Sequence, residues 1–303
     1  MPQRISVRAP ATSANLGCAF DCAALALSLY LDIHVTPRHD KEVTVAYRGV
    51  NPERVPTDET NLIVRTMRKT LERWNKSKGF DLEIDNQIPV GVGLGSSAAA
   101  IVGSIAACHW LADTTLFDEE LLSLAASLEG HPDNVAAAWH GGFTVAGQSE
   151  SRVWAYSCPV PDALQLVLVV PNYAVSTEKA RAVLPAQYSR ADAIHNLQRA
   201  TILAAQLFSG KADFRPAFFD DRWHQPYRAS LVPGLEAVLK LKHPELLGIC
   251  MSGAGPAVLA FVRGEGEAVG GAVRQKLAEH GVQAETHLLA ADNLGAKGWS
   301  LPA

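Results

Sequence analysis

The sequence predicts a mixed α+β protein built as two successive units. Short runs in which apolar and polar residues alternate mark strands with one buried face. Longer runs, apolar on one side or on all sides, mark helices between them. After about Val160 the chain starts over, in the order strand, helix, strand, strand, helix, strand, which is the split βαβ arrangement of a ferredoxin-like unit. The boundary placed there gives units 1–160 and 161–303.

In order, Ile5, Val7 and Ala9 alternate as the first strand. Leu29, Leu31, Ile33 and Val35 form the second, Val43 and Val45 the third, and Leu82 with Ile84 the fourth. Leu62 to Trp74 has helical spacing. Ser96 to Leu111, rich in alanine and isoleucine, reads as a buried helix, and Glu119 to Leu128 as another. In the second unit Leu164 to Val170 is a strand stopped by Pro171, and Asp192 to Phe208 is an amphipathic helix. Leu247 to Ser252 and Ala257 to Val262 are strands flanking Gly253-Ala254-Gly255-Pro256. Glu265 to His280 is a helix and Ala284 to Leu289 the last strand.

Of the 303 residues 48% are apolar, enough for a substantial core. A net charge of -4 and the lack of any Lys/Arg-rich run argue against nucleic acid as a partner. Cys18, Cys22, Cys108, Cys158 and Cys250 are odd in number and contain no CxxC pair, which argues against a disulfide framework and against zinc. The first residues lack the basic and apolar regions of a signal peptide, and Ala23 to Leu31 is too short to span a bilayer. A cytoplasmic protein with no membrane attachment is the expectation.

Pro89-Val90-Gly91-Val92-Gly93-Leu94-Gly95-Ser96-Ser97 runs into the alanine-rich helix. Glycine lets backbone approach a ligand closely, and a helix start offers unpaired N–H groups and partial positive charge. Together they make a phosphate cradle. The G-x-G-x-G spacing is neither a Walker A loop nor a dinucleotide fingerprint.

Four further segments carry polar chemistry. Pro10-Ala11-Thr12-Ser13-Ala14-Asn15-Leu16-Gly17, with Phe20-Asp21, follows the first strand; alone it reads as a strand-to-helix turn capped by Ser13, Asn15 or Asp21. Glu129-Gly130-His131-Pro132-Asp133-Asn134 ends one helix and opens another. A carboxylate there suits Mg²⁺, which takes hard oxygen ligands. Ser176 to Arg181 and His224 to Arg228 each supply an arginine.

With Met251-Ser252-Gly253-Ala254-Gly255-Pro256, the three glycine-rich segments in this order resemble the motifs of the GHMP kinase superfamily, over nearly the whole chain. Within it, Pro10 to Asp21, Glu129 to Asn134, Ser176 to Arg181 and Gln225 to Arg228 are similar to the homoserine kinase family. Ala137 departs from the proline many relatives carry in Asp-Asn-Val-Ala-Pro. The resemblance implies an N-terminal nucleotide-binding domain with a left-handed βαβ unit and a C-terminal ferredoxin-like domain.

It further implies transfer of the γ-phosphoryl group of ATP to the side-chain hydroxyl of L-homoserine, as in threonine biosynthesis. Pro89, Val90, Gly91, Val92, Gly93, Leu94, Gly95, Ser96 and Ser97 would wrap the phosphates, and Asn61 would line the adenine pocket. Ser97 and Glu129 would hold Mg²⁺. Asp21 suits the substrate ammonium. Arg181 and Arg228 suit its carboxylate, because guanidinium binds carboxylate bidentately. Asn15 would orient the hydroxyl, with Thr177 and Gly253 lining the pocket. Asn15, Ser97 and Glu129 form the expected catalytic set, without a dedicated base, the γ-phosphate taking the proton. His131, Asp133 and Asn134 are left as scaffold or orienting groups. A mevalonate-type kinase or a catalytically silent relative are the alternatives, and a homodimer is left open.

Overall fold

The computed structural model describes residues 4–115 and 117–301. Two sheets organise it. The first has seven strands in the order β11-β1-β2-β4-β3, with β5 added on β2 and β6 on β5. They are β1 (Arg4–Ala14), β2 (Ala23–Pro37), β3 (Val43–Gly49), β4 (Phe80–Asn86), β5 (Phe143–Ser149), β6 (Arg152–Cys158) and β11 (Lys297–Leu301). Only β3 and β4 run parallel, and α1 (Leu62–Arg73) makes the crossover between them. On the inner side lie α2 (Ser96–Ala112), α3 (Asp118–Glu129) and α4 (Asp133–His140). Nearly every residue of α2 from Ala98 to Ala112 is buried, as its all-round apolar sequence requires.

The second sheet is antiparallel, in the order β10-β7-β9-β8, formed by β7 (Gln165–Pro171), β8 (Leu246–Met251), β9 (Val258–Val262) and β10 (Ala284–Leu289). β7, β8 and β9 are buried on both faces, while the edge strand β10 is partly exposed. Leu166, Leu168, Cys250, Leu259 and Phe261 join the main core, while Val167, Val169, Ile249, Met251 and Val258 face a second cluster. That period-2 partition is the pleat of the sheet. The second cluster is closed by Leu235 and Val238 of α8 (Leu235–Leu239) and by Val269, Val273 and Leu277 of α9 (Glu267–Ala278).

Most expected elements are present, and four findings differ from expectation. The first strand runs on through Ala14, and no helix follows. Asn15, Leu16 and Asp21 instead take left-handed backbone in a turn leading into β2. The long helix α6 (Arg190–Phe208) begins two residues before the expected Asp192 and turns Leu203 and Leu207 into the main core. The hairpin β5–β6 was not read from the sequence. The last strand, β11, leaves the second unit and pairs antiparallel with β1, so the 161–303 unit sends its end back into the first sheet. The boundary at 160 itself falls between β6 and β7.

Candidate active site

A cavity of about 380 Å³ lies where the two sheets meet. Its floor is the glycine loop. Loop carbonyls are tied back into the protein: Gly91 accepts from Val175 N (3.1 Å), Val92 from Ala257 N (3.1 Å) and Leu94 from Thr12 N (3.0 Å). The Gly93 carbonyl accepts from Ser252 Oγ at 2.7 Å. The N–H groups of Gly91 through Gly95 find no backbone acceptor among the described residues. The loop thus anchors by its acceptors and keeps its donors for an anion, as a phosphate cradle must. Gly93 (φ 88°) and Gly95 (φ 60°) require glycine twice over. Both are left-handed, and a Cβ would strike the Ser252 carbonyl in one case and Thr12 Oγ1 in the other.

Ser97, in the first turn of α2, donates through Oγ to Glu129 Oε1, at 2.6 Å, on the last turn of α3. Burial raises the Glu129 carboxyl above the usual range; the Ser97 hydrogen bond and His131 oppose the rise, and Asp133 adds to it. The two oxygens beside a helix N-terminus are the hard-donor set that Mg²⁺ accepts, with phosphate oxygens filling its remaining positions. The residues present fit that ion.

His131 and the buried Asp133 are joined at 2.6 Å, Nδ1 to Oδ1. Burial alone would lower His131; the hydrogen bond and charge of Asp133, helped by Glu129 and Asp21, outweigh it and raise the pKa. Asp133 Oδ1 also accepts from Asn134 N at 2.7 Å, and Asn134 Oδ1 accepts from Thr12 Oγ1 at 2.6 Å. This chain of bonds ties the start of α4 to β1 behind the loop.

Across the cavity stands a second polar group. Arg181, on α5 (Thr177–Ala182), forms a bidentate pair with Asp21, Nη1–Oδ2 3.0 Å and Nη2–Oδ1 2.9 Å. Arg228 ends α7 (Gln225–Arg228) and is 2% exposed. It donates from Nε to the Ala180 carbonyl and from Nη1 to the Gly253 carbonyl, both at 3.0 Å. Burial and the neighbouring charge of Arg181 lower its pKa to about 10, which leaves it charged at neutral pH. Phe20 lies beneath both arginines, 5.6 Å from the Arg181 guanidinium carbon and 5.3 Å from that of Arg228.

Asn15, Asp21, Asn61, Gly91, Gly93, Leu94, Gly95, Ser96, Ser97, Glu129, Thr177, Arg181, Arg228 and Gly253 all border the one cavity, as does Val90. Pro89 and Val92 belong to the loop but not to the cavity wall among the described residues. Four more of the expected side chains are already engaged within the protein. Asn15 donates through Nδ2 to the Gly253 carbonyl (2.8 Å) and accepts at Oδ1 from Asp21 N (3.0 Å). Asn61 caps α1, accepting from Ile63 N at 2.9 Å and donating to the Pro56 carbonyl at 2.6 Å. Asp21 and Arg181 bind each other. Asn15 and Asn61 shape the cavity first as backbone braces.

The apolar end beside Asn61 is walled by Tyr47, Val55, Pro56, Ile63 and Ile84, which sequence reasoning missed. They come from β3, β4, the segment before α1 and α1 itself, joined only by folding. Phe20 and His224 were also missed as site residues, although both lay inside segments already singled out.

Residues 61–142 match the model of GHMP kinases N terminal domain, and residues 203–282 that of GHMP kinases C terminal. A homoserine kinase of Solibacter usitatus is 40% identical over 282 residues, 92% of each chain. One from Desulfitobacterium hafniense is 40% identical over 299 residues, 96% of this chain and 99% of that one. The crystal structure of homoserine kinase from Cytophaga hutchinsonii superposes with a TM-score of 0.86 at 26% identity, over 99% of this chain and 98% of that one. A mevalonate kinase structure shares the fold at 14% identity with a TM-score of 0.59.

Proposed function

Because the chain belongs to the homoserine kinase family of the GHMP kinases, it is an ATP-dependent kinase that phosphorylates the side-chain hydroxyl of L-homoserine, and we propose the following division of labour in its cleft. Adenine takes the apolar end between Tyr47 and Ile63, beside Asn61. The free N–H groups of Gly91 to Gly95 and the start of α2 receive the phosphates. Ser97 and Glu129 hold Mg²⁺, which neutralises charge on the phosphoryl oxygens when bound.

The amino acid lies across the cavity. Arg228 and Arg181 receive its carboxylate, Asp21 its ammonium, and the hydroxyl points toward the glycine loop past Asn15 and Thr177. Phosphoryl transfer asks mainly for positioning and for stabilisation of charge. The loop donors and Arg228 are rigidly held in advance, so they need little reorganisation as charge moves. Asp133 is buried and bonded to His131 and Asn134, which makes it a brace for the start of α4. The hydroxyl proton passes to a γ-phosphoryl oxygen.

The observation that carries the reading is the pairing of a donor-rich glycine loop with Asp21, Arg181 and Arg228 in one cavity. An amino-acid head group has one anion and one cation, and mevalonate has no ammonium. The test is a coupled ADP-release assay with L-homoserine, L-serine and mevalonate at equal concentration. Turnover should be greatest with homoserine; equal or faster turnover of mevalonate rejects the substrate. We place the enzyme in the cytoplasm, where ATP and free amino acids meet; among the described residues no helix is long and apolar enough to cross a membrane.

A further inference from the structure

The Asp21–Arg181 pair joins two side chains that the function requires to be separate. We propose that this ion pair is the specificity device of the amino-acid subsite: the free enzyme keeps its cation and anion receptors satisfied by each other, and only a ligand carrying both charges can take over both partners. The inference rests on the assignment of Asp21 and Arg181 to the substrate head group.

The geometry supports an exchange rather than a fixed brace. The pair is bidentate, with both carboxylate oxygens and both terminal guanidinium nitrogens engaged. Yet it is open to solvent, with 39% of the Arg181 side chain and 32% of that of Asp21 exposed. Such pairs contribute little to folding, so opening this one costs little. Both residues line the cavity and come from different units: Asp21 from the turn between β1 and β2, Arg181 from α5 of the second unit. Arg228 makes no hydrogen bond to Asp21 among the described residues: its Nε and Nη1 are held by the Ala180 and Gly253 carbonyls, and Nη2 is left for a ligand carboxylate.

The consequences differ by ligand class. A zwitterion restores a partner to each member of the pair. A hydroxy-acid without an ammonium that engages Arg181 strips Asp21 of its partner, and an amino-alcohol without a carboxylate strips Arg181. Each half-ligand thus opens the pair without replacing it, and is rejected for a reason beyond its own missing contact.

Calorimetry with L-homoserine, 4-hydroxybutyrate and 3-amino-1-propanol, on the full chain and on Asp21→Asn and Arg181→Gln, decides the matter. Asn tolerates the left-handed backbone at position 21 (φ 54°). Asp21→Asn should bind homoserine more weakly and 4-hydroxybutyrate more tightly than the parent, the latter by about threefold, which is about 0.7 kcal/mol. Arg181→Gln should show the converse gain for 3-amino-1-propanol. If each substitution weakens or spares all three ligands alike, the pair is a structural brace and the proposal is overturned. Failure of the parent to bind homoserine at all would instead reject the substrate assignment.

Discussion

His224 is wedged between Arg228 and the backbone of the first unit: Nδ1 lies 3.2 Å from Arg228 Nη1 and Nε2 lies 2.7 Å from the Gly17 carbonyl. A carbonyl only accepts and a guanidinium only donates. His224 must therefore carry its proton on Nε2 and present a bare Nδ1 to the arginine. Its ring also stacks on Phe20 at 5.3 Å. The histidine orients the guanidinium proposed to receive the substrate carboxylate.

Arg228→Lys is not conservative here. Lysine keeps the charge but cannot serve the Ala180 and Gly253 carbonyls and His224 Nδ1 together. Homoserine affinity should fall by about 1.5–3 kcal/mol, the range for hydrogen bonds to charged groups. His224→Asn keeps an acceptor near Nδ1, whereas His224→Gln keeps only the reach toward Gly17. The Gln variant should raise KM for homoserine more than the Asn variant, with KM for ATP little changed in both. Steady-state kinetics on the three variants check this, and equal KM values for homoserine would reject the orienting role.

The two site histidines should give opposite pH dependence of stability. Burial pushes His224 below the ordinary histidine value of 6.5, with Arg228 assisting and Asp221 opposing. The stability linked to its neutral form is present above 6.5 and lost as pH falls through its depressed folded value. His131 is raised above 6.5, so its contribution is full below that pH and lost as pH rises through the elevated folded value. Melting temperature against pH should show the His131→Gln penalty largest in acid, and the His224→Asn penalty shrinking in acid. Parallel curves for both variants would contradict the assignment.

Glu129→Gln should leave homoserine binding nearly intact and lower kcat at least about tenfold, about 1.4 kcal/mol in the barrier. The loss should shrink as Mg²⁺ is added, since an amide is a poorer ligand for a hard cation than a carboxylate and more metal is needed to fill the site. A kcat within about threefold of the parent, roughly 0.7 kcal/mol, would show that Glu129 is not a ligand.

Gly95→Ala should destabilise the fold by about 1–3 kcal/mol, the range for a residue forced into sparsely populated backbone. Its Cβ meets Thr12 Oγ1 and Asn134 Oδ1, which are themselves bonded to each other. The same collision moves the loop, so KM for ATP should rise with it. Thermal unfolding together with ATP kinetics reads both. Gly130→Ala is the control: it also has positive φ, at 94°, but its Cβ would meet nothing within 4 Å.

Local patterns carried much of the fold. The near-continuous apolar runs of Leu164 to Val170 and of Ala257 to Val262 read as strands because both faces of those strands are buried. The all-round apolar face of Ser96 to Leu111 gave a helix with no solvent side. The hairpin β5–β6 escaped because its strands are half exposed, with Trp154 and Tyr156 facing outward, which blurs the alternation. β11 escaped because it forms only by pairing with β1 nearly three hundred residues earlier.

The site divides in the same way. The sequence by itself determined the glycine loop, the helix start and the carboxylate of Glu129 as a candidate ligand, because residue type and local spacing suffice to specify a phosphate cradle; Ser97 as its co-ligand and the charged trio Asp21, Arg181 and Arg228 came from the resemblance to the homoserine kinase family. Only the tertiary structure decided which partners they hold. Asp21 meets Arg181 across 160 residues, and Asn15 gives its amide to Gly253 across 238. His224 becomes the neutral partner of Arg228 because burial removes the water that would otherwise share its nitrogens. Such pairings depend on which distant groups are brought within about 3 Å of each other and shielded from solvent. No local pattern encodes that; packing of the two sheets against one cavity does.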